Sequence, residues 1–200
     1  MAGLLIKDLK NISNQFVYYL VAFLGLIIFS VLTENVYILG GIVFLSVSLP
    51  LSALTADEKV NFDAFALAAG ISRKKLVLYR YMVAYCVGIP LLGCGYAVAA
   101  LAGYLDFRAV AALAAYGGMS FFVINVMFPI VLKKGPEHAQ MAYLIMFAGV
   151  VLMSVFFAVA IELLGEIAVW VIAFLPFFLG CFSFIPSVIC ALNVYKNKDF

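Results

Sequence analysis

Charge is what this sequence has least of. Of 200 residues, only 11% are Asp, Glu, Lys or Arg, against roughly 25% in an ordinary soluble domain. There is one histidine and one tryptophan, and the four cysteines, Cys86, Cys94, Cys181 and Cys190, all fall in apolar runs without C-x-x-C spacing. That spacing excludes a disulfide framework or a thiolate metal site and leaves the cysteines as small buried hydrophobes. No G-x-x-x-x-G-K-[ST] loop occurs, so the chain has nothing with which to cradle nucleotide phosphates and is not an ATPase. An intramembrane metalloprotease needs paired histidines with a Glu at helical spacing, and an aspartyl protease needs two intramembrane Asp. His138, beside Glu137 in a polar stretch, supplies neither. The net charge of +2 is too small to argue for nucleic acid. The expectation is a chain with no catalytic residue, no metal and no cofactor of its own.

Apolar length takes the place of charge. Hydrophobic residues make up 68% of the chain, and the mean hydropathy is +1.20. The solvent for most of it is lipid, where only helices or closed barrels satisfy the backbone. Six runs are long enough to cross a hydrocarbon core: Phe16 to Thr33, Val36 to Thr55, Met82 to Leu105, Ala109 to Leu132, Gln140 to Leu164 and Ile167 to Leu192. Glu162 is the only charged residue inside these limits. The fold class read from this is an all-α polytopic membrane protein with six transmembrane helices, one domain over residues 1–200. The opening stretch "MAGLLIKDLKNISNQ" carries Lys7, Asp8 and Lys10, and no small-residue cleavage site follows, so it does not read as a signal peptide. Ser46, Ser48 and Ser52 lack a basic partner within their span and read as helix-helix hydrogen-bonding groups or cavity lining.

The few bases are unevenly placed. Lys7, Lys10, Lys59, Arg73, Lys74, Lys75, Arg80, Lys133, Lys134, Lys196 and Lys198 fall on one side of the six-span topology, and Arg108 alone falls on the other. Lys and Arg near span ends are retained in the cytoplasm. Both termini, a tail over 193–200 and the loop over 56–81 are therefore expected there. The opposite side has only the short turns "TEN", "DFR" and "GE", too short to capture a substrate.

The loop holds eight of the chain's charged residues. Phe62, Phe65, Ala66 and Ala69 recur at i, i+3, i+4 and i+7, predicting a short helix with one apolar face and with Asp57, Glu58 and Asp63 off that stripe. Gly70 reads as its stop, and Ser72 as the amino-terminal cap of the next helix, with Ile71 and Leu76 spaced as a hydrophobic staple. Arg73, Lys74 and Lys75 occupy the wrong end of that helix for its macrodipole, which points to headgroup phosphates or a partner. A helix resting on the bilayer would account for the amphipathic pattern and basic flanks. Acids gain nothing against an anionic leaflet, so a protein partner accounts better for "DEK".

The pattern "LLIKDLKN" before span one, "DEKVNFDAFALAAGISRKKLVLYRYMVAY" between spans two and three, and "FPIVLKKGPEHAQ" after span four resembles the small permease subunits of type-two ATP-binding-cassette exporters. Within that family it resembles in particular the phenol-soluble modulin and antimicrobial-peptide exporter permeases. The resemblance covers essentially the whole chain. It implies that the 56–81 loop is a coupling helix seated in a groove of a separate ATPase subunit, which binds the ATP and Mg. The coupling residues it implies are Asp57, Glu58, Lys59, Phe62, Asp63 and Phe65. Lys133, Lys134, Gly135 and Glu137 correspond to a second cytoplasmic contact, although Leu132 and His138 depart from the relatives' pattern. Residues 1–15 correspond to an interfacial elbow. The resemblance further implies a second copy of the permease, an amphipathic or hydrophobic peptide cargo moving outward, contact with membrane lipid, and a bacterial plasma membrane location.

Pro50, Gly88, Pro90, Pro129, Pro176 and Pro186 interrupt spans, and they read equally as static kinks or as hinges of alternating access. Proton- or ion-coupled transport requires ionisable groups in the membrane interior, and these spans supply only Glu162, at the far end of the fifth. The alternative to an ATP-driven permease is a non-transporting scaffold or assembly factor that recruits a cytoplasmic protein through the same loop.

Overall fold

The computed structural model describes residues 2–104, 106–135 and 166–197 with scattered positions between 138 and 159, and every element among the described residues is helical. The first helix, α1 (Ala2–Leu32), is unbroken. The stretch expected as an interfacial elbow is, from Ala2 onward, continuous in one helix with the apolar stretch that follows. No Gly or Pro stands between Lys10 and Phe16 to stop the helix.

Past α1 the chain reverses. Glu34 takes a left-handed φ of 51°. The Asn35 side chain accepts the Tyr37 N–H at 2.9 Å and caps a 3-10 turn, Val36–Gly40. That turn leads into α2 (Gly41–Lys59), followed by the short α3 (Phe62–Ala68), then α4 (Arg73–Leu101), α5 (Phe107–Lys134) and α6 (Glu166–Asn197). Asp106 caps α5 by accepting the Ala109 N–H at 2.7 Å.

Four stretches are long and apolar enough to cross a membrane: Tyr37–Lys59, Arg73–Leu101, Ala109–Lys134 and Phe174–Asn197. They correspond to the expected spans two, three, four and six. The first expected span lies in α1, whose unbroken helix carries the apolar stretch Val17–Leu32. The fifth, over 140–164, lies largely outside the described residues.

Burial ranks the helices. From Leu45 to Leu51 every residue of α2 is buried, Ser46, Ser48 and Pro50 included, as only a helix surrounded on all sides can be. The closest approach is between α5 and α6. A Cβ on Gly118 would stand 2.2 Å from the Phe177 nitrogen, and one on Gly180 would stand 2.4 Å from the Gly118 carbonyl oxygen. Lipid offers no hydrophobic drive between helices, so glycine contacts and polar cross-bonds must hold them. One core cluster joins Leu54, Ala66, Leu76, Leu132 and Tyr195. It gathers the end of α2, the inner face of α3, the start of α4 and the ends of α5 and α6 at one end of the bundle.

The outer faces are apolar, with Leu32, Leu101 and Phe182 all more than 70% exposed. The four cysteines lie on such faces and not in the core as expected. In lipid a thiol is solvated as well outside the bundle as within it.

This packing makes a contrast between two glycines. Gly118→Ala drives a methyl into the α6 backbone and should destabilise by about 1–3 kcal/mol or more. Gly93, with nothing within 4 Å of a built Cβ, should accept Ala with unchanged or slightly higher stability. Thermal melting of the detergent-solubilised protein checks both.

Candidate functional site

The 56–81 stretch folds as its local chemistry dictates. Asn61 takes a left-handed φ of 49° between α2 and α3, with its N–H bonded to the Glu58 carbonyl at 3.2 Å. Gly70 stops α3 at φ +84°. Ser72 then caps α4 by accepting the Lys75 N–H at 3.4 Å. Ile71 and Leu76 pack into the same cluster, so the expected stop, cap and staple all form. A seven-residue helix has no stability of its own. What holds α3 is its underside.

There a charged clasp forms around Arg80, two turns into α4 and 7% exposed. Its Nη2 donates to the Asp63 carboxylate and lies 3.7 Å from the Asp57 Oδ2. The Tyr195 hydroxyl, from the last turn of α6, donates to the other Asp63 oxygen. Lys7 of α1 donates to Asp57 Oδ1 at 2.5 Å, and its ammonium sits 3.7 Å from the centroid of the Phe62 ring. Arg73 donates from Nη1 to the Tyr195 and Lys196 carbonyls, each at 2.8 Å. It thereby places a cation on the negative end of α6, where the helix dipole favours it. Arg80 and Lys7 thus balance Asp57 and Asp63, and the clasp ties α1, α2, α3, α4 and α6 together. Among the described residues, Arg80 Nε and Nη1 have no hydrogen-bond partner, so the guanidinium depends on its carboxylates for compensation.

The predicted coupling residues divide around this clasp. Asp57 and Asp63 are buried and face inward, Glu58 and Phe62 are half-buried, and Lys59 and Phe65 face outward, Phe65 at 70% exposed. The apolar stripe is divided: Phe62 and Ala66 pack inward beside Asp57 and Asp63, while Phe65 and Ala69 are exposed. Asp63 turns in because Arg80 and Tyr195 need an acceptor, and Phe65 is left outside, its ring 6.3 Å from that of Phe62. The acids therefore have internal partners, which the argument from an anionic leaflet did not foresee.

Elsewhere, Lys133 and Lys134 are exposed at the end of α5, where Gly135 turns the chain at φ +91°. Glu137 lies outside the described residues. Pro50 and Pro176 are buried, Pro129 is half-buried, and Pro90 and Pro186 are exposed, all within continuous helices. Gly88 is buried, with a built Cβ 3.4 Å from Phe121.

Sequence reasoning counted Lys7 and Arg80 only for orientation and passed over Tyr195 and Asn125. Asn125, an amide inside an apolar run, was the available signal. It donates to the Gly180 carbonyl at 2.9 Å and to Ser183 at 3.0 Å, and accepts from Tyr85 at 3.0 Å. Its backbone carbonyl accepts from Ser187, which also bonds Tyr81. This second network fastens α4, α5 and α6 within the membrane-length segments, while the clasp fastens their end.

The family described as ABC-2 family transporter protein matches the chain over residues 3–196. No curated protein and no solved structure matches it.

Removing one partner of the clasp strands a buried charge. Asp63→Ala and Arg80→Ala should each destabilise by about 3–5 kcal/mol, and the double variant by clearly less than their sum. Melting of the wild type, both singles and the double in one detergent measures the coupling. Additivity within about 0.5 kcal/mol would show that the pair does not interact.

Proposed function

The chain belongs to the ABC-2 family of transporter proteins and is a multi-pass membrane permease subunit of an ATP-binding-cassette transporter, and we propose that it exports amphipathic or hydrophobic peptides by coupling α3 to a separate ATPase. The ATPase binds the ATP and Mg, and the working assembly contains two permeases and two ATPases in a bacterial plasma membrane. The observation that carries the reading is Phe65. A phenylalanine 70% exposed on a seven-residue helix, which the clasp ties to four other helices, is a knob on a rigid mount.

In this reading the docking face is Lys59, Phe65 and the exposed edge of Glu58. Asp57, Asp63 and Phe62 orient that face from below. Motion of the ATPase against Phe65 passes through Asp63 and Arg80 into α4, through Asp57 into α2, and through Tyr195 into α6. The basic end faces the cytoplasm, because lysines and arginines gather where α2, α4, α5 and α6 share a cluster. Support for peptide cargo comes from the resemblance in the 56–81 loop and from the aromatic outer face of α6, Phe178 and Phe182 included.

Affinity purification from native membranes in mild detergent tests the energy source. An ATPase should accompany the wild type near one-to-one. Phe65→Ala should weaken that association by about 30-fold, as loss of a docking anchor does, while leaving the melting temperature unchanged. Wild type that carries no ATPase, under conditions preserving other membrane complexes, would favour the scaffold. For sidedness, a membrane-impermeant maleimide on intact cells should label Thr33→Cys, and should label Lys134→Cys only after permeabilisation.

A further inference from the structure

Beside the clasp, on the outer surface, the start of α4 and the end of α6 enclose a cleft of about 430 Å³ lined by Arg73, Lys74, Ile189, Leu192, Asn193 and Lys196. Three of the six are basic, and none of these described residues is acidic. The amino-terminal turn of α4 adds the positive end of its helix dipole. Lys74 and Lys75 oppose that dipole, so the stability of α4 does not account for them.

The walls leading away from the cleft carry the second half of the argument. On α6, Lys196, Ile189, Ile185, Phe182 and Phe178 recur at spacings of seven, four, three and four, and so share one face. The four apolar members are 54%, 63%, 71% and 55% exposed. On α4, Lys74 is followed at i+4 and i+8 by Leu78 and Met82, 49% and 48% exposed. Two antiparallel helices therefore each present an outward apolar stripe that ends, at the same end of the bundle, in a lysine. A soluble anion would need the bases and have no use for the stripes. A protein segment would need hydrogen-bonding partners along them. An amphiphile with a negative head and hydrocarbon tails matches both parts.

We propose that this cleft is a binding site for an anionic phospholipid, its phosphate held by Lys74, Lys196 and the Arg73 guanidinium, and its acyl chains lying along Ile189 and Ile185. Because Arg73 also holds the Tyr195 and Lys196 carbonyls at the end of α6, the occupied site braces two of the helices that carry the clasp. The site does not depend on the cargo or on ATPase coupling.

The test uses the full chain, with any co-purifying ATPase left in place, and compares wild type with Lys74→Ala/Lys196→Ala. Arg73 is spared because it caps α6. Native mass spectrometry and melting are recorded with phosphatidylglycerol, with phosphatidylcholine and with inorganic phosphate. Wild type should retain phosphatidylglycerol and melt higher in its presence than with phosphatidylcholine. The double variant should bind it about 25-fold more weakly, roughly fivefold for each lysine removed, while melting as wild type does in phosphatidylcholine. Equal retention of both lipids, or equal phosphatidylglycerol binding by both proteins, would overturn the site. Inorganic phosphate giving the same stabilisation would assign it to a soluble anion, and lipid release when ATPase is added would assign it to the partner protein.

Discussion

A guanidinium cannot be taken out of water without compensation, and Arg80 is where this chain meets that constraint. Born-type costs for an uncompensated ion are several kcal/mol even after relaxation, so the site is tolerable only while Asp63 and Asp57 remain against it. Those carboxylates come from α3 and from the end of α2. Neither can move away from α4 independently. The burial of one charge thus fixes the position of a helix that is too short to hold itself.

The same constraint explains why the clasp recruits both ends of the chain. Two carboxylates facing one arginine would leave a net negative charge near the membrane boundary. Lys7 from α1 restores the balance and lays its ammonium on Phe62. Tyr195 occupies the remaining Asp63 oxygen with a hydroxyl, adding a donor without adding charge. Lower in the bundle the groups are neutral amides and hydroxyls, Asn125 with Ser183, Ser187, Tyr81 and Tyr85. Ionic contacts sit at the end, where water and headgroups are near, and neutral ones sit within, as the cost of charge in hydrocarbon requires.

What was legible in the sequence follows the range of the interaction. Gly70, Ser72, Ile71 and Leu76 act on neighbours a few residues away, and their stop, cap and staple were readable from types and spacing alone. Long apolar runs declared four of the membrane-length helices for the same reason. Asp63, Arg80 and Tyr195 are separated by 17 and 132 residues along the chain, and no periodicity relates them. Without that pairing, Asp63 reads as an acid off the apolar stripe and Phe65 as a member of it, and nothing in the spacing says that Asp63 is the buried one of the two. The continuity of α1 was obscured differently. Lys7, Asp8 and Lys10 mark the end of a span, but a span can end where its helix does not.

Rigidity in α3 matters because a lever transmits only what its mount does not absorb. In the proposed cycle the ATPase acts on an outward phenylalanine of a helix that spans about 10 Å. If α3 were attached by its loop ends alone, Asn61 and Gly70, both at positive φ, would let it swivel and dissipate the displacement. Attachment through Asp63 to α4 and α6 at once removes that freedom, since rotation about either contact stretches the other. The buried ion pair therefore adds little net stability compared with a hydrophobic pair of the same shape. Its contribution is directional: it makes α3, the start of α4 and the last turn of α6 move as one body.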